Sequence, residues 1–141
     1  MPFALLHWVL SWFMLLHFAG PVPQDLGLQG KHLRGCSGAQ NCSQLRLQMD
    51  NPSELFFALN QAVDAMPRAQ RMVSTESYAH VVITSFVFGF ADDLELALDQ
   101  TSGLVELRSE SRLGESDFGV NRRRLAELQS VANSFVVPVS W

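Results

Sequence analysis

A chain of 141 residues is long enough for one domain with its own hydrophobic core. Its formal charge of -4, from 10 Lys and Arg against 14 Asp and Glu, argues against a nucleic-acid partner, because tracking a phosphate backbone takes many cations. The charged share is 17%, and the first thirty residues hold it down, since Asp25 is the one charged residue among them.

Residues 1–22 form the first segment. Phe3 to Ala19 reads FALLHWVLSWFMLLHFA and stops at Gly20, Pro21, Val22 and Pro23, which punctuate a helix end. At about seventeen residues the run is marginal for a membrane span of roughly twenty and ample for the core of a signal peptide. Either a cleaved signal or a retained anchor is expected, and with it membrane association through residues 3–19. His7 and His17 are neutral passengers in this run.

Residues 23–50 are a lead-in that carries Cys36 and Cys42 in GCSGAQNCS. Gly35 and Gly38 let the backbone double back, so a local disulfide is feasible. In an oxidising compartment the pair would bond, and so short a loop is worth about 2 kcal/mol. Zinc would need more ligands than two cysteines and the distant His32 and His80. No metal or cofactor is implied.

Residues 51–141 are the main domain. Asn51, Pro52 and Glu54 spell a helix start of the capping-box type, and Leu55, Leu59, Ala62 and Met66 recur at helical spacing before Pro67 ends it. Arg71–Ser74 and Tyr78–Phe88 are β-branched or aromatic and read as strands, the second of them buried on both sides. His80 lies in that strand, as a hydrogen-bonded core or rim histidine.

Leu94–Leu98 and Val105–Ser111 alternate apolar and polar, with Gln100–Gly103 as the turn, and predict a hairpin. Keeping the apolar side chains on one face sets Leu98 opposite Val105, Leu96 opposite Leu107 and Glu95 opposite Arg108. Asp93 then falls near Arg112, and the polar face is expected to be a solvent-exposed ladder of opposite charges. Leu125, Leu128, Ala132 and Phe135 predict a closing helix, with Asp117 as its cap. The fold class is therefore α+β: an antiparallel sheet of about four strands packed with two helices.

Three features resemble one family. The cysteine pair ends in Asn41-Cys42; Phe90, Asp92 and Asp93 form a Phe-x-Asp-Asp segment. Arg108, Ser109, Ser111, Arg112, Gly114, Ser116, Asp117, Gly119, Asn121 and Arg122 follow an Arg-Ser-x-Ser-Arg-x-Gly-x-Ser-Asp-x-Gly-x-Asn-Arg signature. These residues resemble the domain of unknown function 1499 family over roughly residues 30 to 130. The cysteine loop departs from the family pattern, with SGAQ in place of its prolines. The resemblance implies no settled activity; it implies an exported or membrane-associated protein, as in bacterial envelopes, the periplasm and the thylakoid lumen.

The signature is also where a site is expected. Arg122, Arg123 and Arg124 sit in the first turns of the closing helix, at the positive end of its dipole, so something negative should be close. One reading supplies it internally: Asp92, Asp93, Glu95, Glu110 and Asp117 pair with Arg108, Arg112 and Arg122 and lock hairpin to helix. The other leaves Arg108, Arg112, Ser116, Asn121 and Arg122 to bind a small anion or a protein partner. Both expect the acids and guanidinium groups to converge on one spot.

Enzyme chemistry gathers little support. Gly114–Gly119 reads GESDFG and misses the G-x-S-x-G elbow because Phe118 stands where a glycine is required. Asp92 and Asp93 are adjacent on a strand and face opposite sides, so they cannot share a proton. The remaining enzymatic alternative is a hydrolase or transferase using Ser116 or Asp93 with His80.

Overall fold

The computed structural model of the protein describes residues 19–38, 40–86 and 89–135. The apolar run expected to be a signal or anchor lies outside these residues except for Ala19, and so do Val87 and Phe88 at the end of the expected second strand. Among the described residues no helix is long and apolar enough to cross a membrane.

The architecture is α+β, as the sequence predicts. Among the described residues seven strands run β1 (Leu28–Gln29), β2 (His32–Leu33), β3 (Cys42–Gln48), β4 (Ala69–Ser74), β5 (Tyr78–Thr84), β6 (Ala91–Asp99) and β7 (Leu104–Ser111), with two helices, α1 (Pro52–Asp64) and α2 (Val120–Asn133). The main sheet is antiparallel with strand order β3-β7-β6-β5-β4, and β1 and β2 form a separate two-stranded hairpin. It thus has one strand more than the four expected, because CSQLRLQ in the lead-in alternates well enough to add β3 beside β7.

The β6–β7 register matches the expectation: Leu98 faces Val105, Leu96 faces Leu107 and Glu95 faces Arg108. A slip of one residue would move every apolar side chain off the core face. The turn closes at Gly103, whose φ of 72° and whose 2.7 Å clearance between a would-be Cβ and the Met49 carbonyl oxygen require a glycine.

Helix α1 begins at Pro52 as predicted, but Asn51 makes no side-chain cap bond. Its backbone (φ -114°, ψ 66°) lies off the extended conformation that aims a capping side chain at the first amides, so only the Asn51 carbonyl oxygen serves, accepting from the Leu55 amide at 3.3 Å. Leu55, Leu59 and Val63 of α1 and Leu125, Leu128 and Ala132 of α2 bury against Val81, Leu94, Leu96, Val105 and Leu107 of the sheet. Each large member of this set contributes roughly 1.5–3 kcal/mol by leaving water.

The opposite face of the sheet is covered by a strap made of residues 25–36. Leu33 on β2 packs over Tyr78 and Ala97. The Cys36–Cys42 disulfide, with a Cα–Cα distance of 5.8 Å, clips the strap to the first residue of β3.

Candidate functional site

The signature residues do not meet at one spot; they divide between the two faces of the sheet, as the period of two demands. On the helix face Asp92 accepts from Arg124 Nη2 at 2.8 Å and from Ser111 Oγ at 2.6 Å. Asn121 is fully buried beside them. Its Oδ1 accepts from Ser109 Oγ at 2.6 Å and from Arg124 Nη1 at 2.7 Å, while its Nδ2 donates to Ser111 Oγ and to the Asn41 carbonyl oxygen. This network fastens α2 to β6, β7 and the cysteine loop.

The strap face holds the larger cluster. Asp93, Glu95 and Arg108 are each 1% exposed, so the expected surface ladder is in fact an interior one. The reason is the strap: the Gly27 amide donates to Glu95 Oε1 at 2.7 Å, and the Leu33 amide donates to Glu106 Oε2 at 3.0 Å. Tyr78 Oη donates to Glu95 Oε1 at 2.7 Å, and Arg108 lies between Glu95 Oε2, 3.4 Å away, and Glu110. Glu110 also pairs with Arg34, which reaches Asp25 as well. Each buried charge thus has a partner, as burial requires. Burial and the hydrogen bond to the Glu95 carboxylate push the Tyr78 phenol far above its ordinary value of 10.0.

His80 and Asp93 form the third group. His80 is 6% exposed, and its Nε2 lies 2.7 Å from Asp93 Oδ1; Arg112 grips both oxygens of Asp93 at 2.9 Å. Burial alone would raise the Asp93 carboxyl, but hydrogen bonds from Arg112 and His80 outweigh it and hold its pKa below the usual 3.8. The sequence reading of His80 as a hydrogen-bonded core histidine agrees with this geometry. Its carboxylate partner lies across the strand pair, since Asp93 sits diagonal to His80 on the same face.

Ser116 and Arg122 are the two candidates at the surface. They line a groove of about 420 Å³ with Gln40, Cys42, Ser43, Asp117, Phe118 and Gly119. Asp117 supplies the negative charge that the start of α2 needs: Oδ1 accepts from the Gly119 amide at 2.7 Å and Oδ2 from the Asn121 amide at 3.0 Å. It does so from two residues before the formal cap, Gly119, whose αL backbone turns the chain into the helix. Burial alone would raise the Asp117 carboxyl, but these amides hold it below its ordinary value. Arg122 is exposed and, among the described residues, pairs with no carboxylate.

Of the expected site residues, Arg108, Arg112 and Asn121 are therefore enclosed and committed to internal partners, and so are Asp92, Asp93 and Glu95. Sequence reasoning missed Tyr78, Glu106 and Arg124. Arg124 could have been found from helix phase, because it falls three residues after Asn121 and one before Leu125, on the inward stripe. Among the described residues no three His, Cys, Asp or Glu side chains group as a metal site.

No curated protein matches this chain. A family model described as protein of unknown function (DUF1499) matches residues 33–131, the span that holds the disulfide, the whole main sheet, α1 and most of α2, and the chain belongs to that family.

Proposed function

We propose that the protein is a non-enzymatic accessory domain, exported or membrane-anchored in a cell envelope, periplasm or thylakoid lumen, that captures a small anion, or an anionic group of a protein partner, in the groove between Ser116 and Arg122. The apolar run Phe3–Ala19 and the Cys36–Cys42 disulfide support the location, since disulfides persist in oxidising compartments. The observation that carries the binding reading is Arg122. It is a surface guanidinium in a concave groove beside hydroxyl groups of Ser43 and Ser116, while the one carboxylate there, Asp117, already accepts two amide hydrogens. Its charge is thus available to an incoming anion.

The enzymatic alternative draws less support. Ser116 lies in a groove with no histidine among its lining residues, and both oxygens of Asp93 are occupied by Arg112 and His80. A nucleophile needs access to its substrate and, for a hydroxyl, a base within reach; Ser116 lacks the base and Asp93, 1% exposed, lacks the access.

Titration of the full chain in detergent micelles with sodium phosphate, followed by amide NMR, tests the binding reading. Saturable shifts are expected at Ser116, Gly119 and Arg122 and none at Gly103, with affinity falling at least about tenfold, the loss of one charge-assisted contact, in Arg122→Ala. Shifts that do not saturate, or that persist unchanged in the variant, would overturn it.

A further inference from the structure

The two ends of the sheet differ in chemistry. One end gathers the β5–β6 connection, the β7–α2 loop and the start of α2. Phe86 is 83% exposed there and Phe118 is 88% exposed, with Val120 at 38%. Phe118 has a φ of 53°, a left-handed conformation that residues other than Gly, Asn and Asp rarely adopt, yet its ring is spent on no internal contact that would shelter it.

Arg68, Arg122 and Arg123 surround these rings. The Arg68 guanidinium carbon lies 5.5 Å from the centre of the Phe86 ring, and Arg68, Val120 and Arg123 line one cleft. Arg123 Nη1 donates to the Phe118 carbonyl oxygen at 3.1 Å. Among the described residues none of these three arginines pairs with a carboxylate, and the exposed acids nearby are Glu115 and Glu127. The far end, at the β4–β5 and β6–β7 turns and the start of α1, instead carries Asp50, Glu54, Glu76 and Asp99 against Lys31. Exposed arginines without a carboxylate partner thus gather beside the rings at the first end, while the far end exposes mainly acids.

Gly20, which follows the apolar run in sequence, lies at the same end as the rings. Gly20 sits against the β7–α2 loop, its would-be Cβ 2.8 Å from Leu113 Cγ and 3.0 Å from Arg112 Cβ. The run Phe3–Ala19 ends one residue earlier, so no spacer separates it from this surface. Any bilayer that holds the run therefore lies within a few residues' reach of Phe118 and Arg122.

We propose that this end of the domain is a lipid-facing surface: it rests on an anionic bilayer with Phe86 and Phe118 at the boundary between headgroups and acyl chains and Arg68, Arg122 and Arg123 among the phosphates. Exposed aromatic rings beside cations are what such a boundary accepts, because the rings leave water while the guanidinium groups stay hydrated and meet negative charge. The inference shares Arg122 with the groove described above but does not rest on it, since Phe86 and Arg68 lie outside that groove.

Site-directed nitroxides test it in the full chain with its leader retained, reconstituted in vesicles of phosphatidylcholine and phosphatidylglycerol. The two native cysteines are bonded to each other, so Phe86→Cys, Phe118→Cys and Thr101→Cys each add one labelling site, the last as a far-end control. Labels at 86 and 118 are expected to lose collisions with a water-soluble nickel chelate and keep those with oxygen, while the label at 101 keeps both. Adding Arg68→Glu and Arg123→Glu is expected to restore nickel access at 86. Labels at 86 and 118 as open to nickel as that at 101 would overturn the proposal. So would shielding accompanied by nitroxide dipolar broadening, which would mean that a second copy covers the surface. Arg122→Ala that loses phosphate binding yet keeps the label at 86 shielded would separate this inference from the groove.

Discussion

Strand β6 presents Leu94, Leu96 and Leu98 to the helices and Asp93, Glu95 and Ala97 to the strap, and both sets are almost wholly withdrawn from water. On the helix face burial is stabilising in itself, because apolar area leaves water without needing particular partners. On the strap face burial is costly until each charge is met, so the same strand carries a set of interactions that stand or fall together. An alternating strand is thus no proof of a wet face. The second cover here is a strap of twelve residues, and with its Gly27 and Leu33 amides, Tyr78 and the three arginines Arg34, Arg46 and Arg108 as donors, Glu95, Glu106 and Glu110 each accept from more than one.

Replacing Arg108 breaks the comparison most sharply. Arg108→Met keeps an unbranched stem but leaves Glu95 buried without its cation, a loss of about 3–5 kcal/mol expected for one partner of a buried pair. Urea unfolding should show the midpoint collapse in that variant, comparable to Leu96→Ala on the helix face at about 2–5 kcal/mol. The double variant Glu95→Leu with Arg108→Met should recover much of the loss, because no orphaned charge remains. A double variant no better than the single would mean that the strap needs the Glu95 carboxylate to hold Gly27.

The strap also sets the limit of what the sequence disclosed. Hairpin register followed from alternation alone, since only one pairing keeps Leu96 and Leu107 on the same side as Leu98 and Val105. The opposition of Asp92 and Asp93 followed from the same period. Burial of Glu95 and Arg108 did not, because Gly27 reaches Glu95 across 68 residues and carries no pattern that marks its destination. In the run Arg122, Arg123 and Arg124 the residues look alike, and only helix phase distinguishes the one that turns inward to Asp92. Asp117 was legible as a cap because a carboxylate before a helix finds free amides, whereas Asn51 failed in that role through a backbone angle that composition does not encode.

A smaller effect is expected from unclipping the strap. Cys36→Ser with Cys42→Ser removes a closed loop of six residues' separation, for which chain entropy gives about 2 kcal/mol. The loss should appear as a lowered thermal midpoint. Hydrogen exchange should rise first at the Gly27 and Leu33 amides, through which the strap bonds Glu95 and Glu106, and not at Leu96 beneath the helices. Uniform faster exchange across the sheet would show that the strap and core unfold as one unit.

The mildest of these changes is Tyr78→Phe, which deletes one hydrogen bond to a charged acceptor while Glu95 keeps the Gly27 amide and Arg108. A cost near 1.5 kcal/mol at neutral pH follows, the low end for bonds to charged groups. The sharper signature is in alkali. In the folded protein burial and Glu95 keep the phenol protonated well above its ordinary value of 10.0, whereas in the unfolded chain it ionises near that value. The unfolded state therefore sheds a proton that the folded state retains, and stability from this group, fully present below about pH 10, falls as pH rises beyond it. The advantage of the wild-type chain over Tyr78→Phe should shrink between about pH 10 and pH 11 in urea titrations. A constant difference across that range would mean that Tyr78 ionises as freely in the folded protein as in water, and that the strap does not seal the charged face.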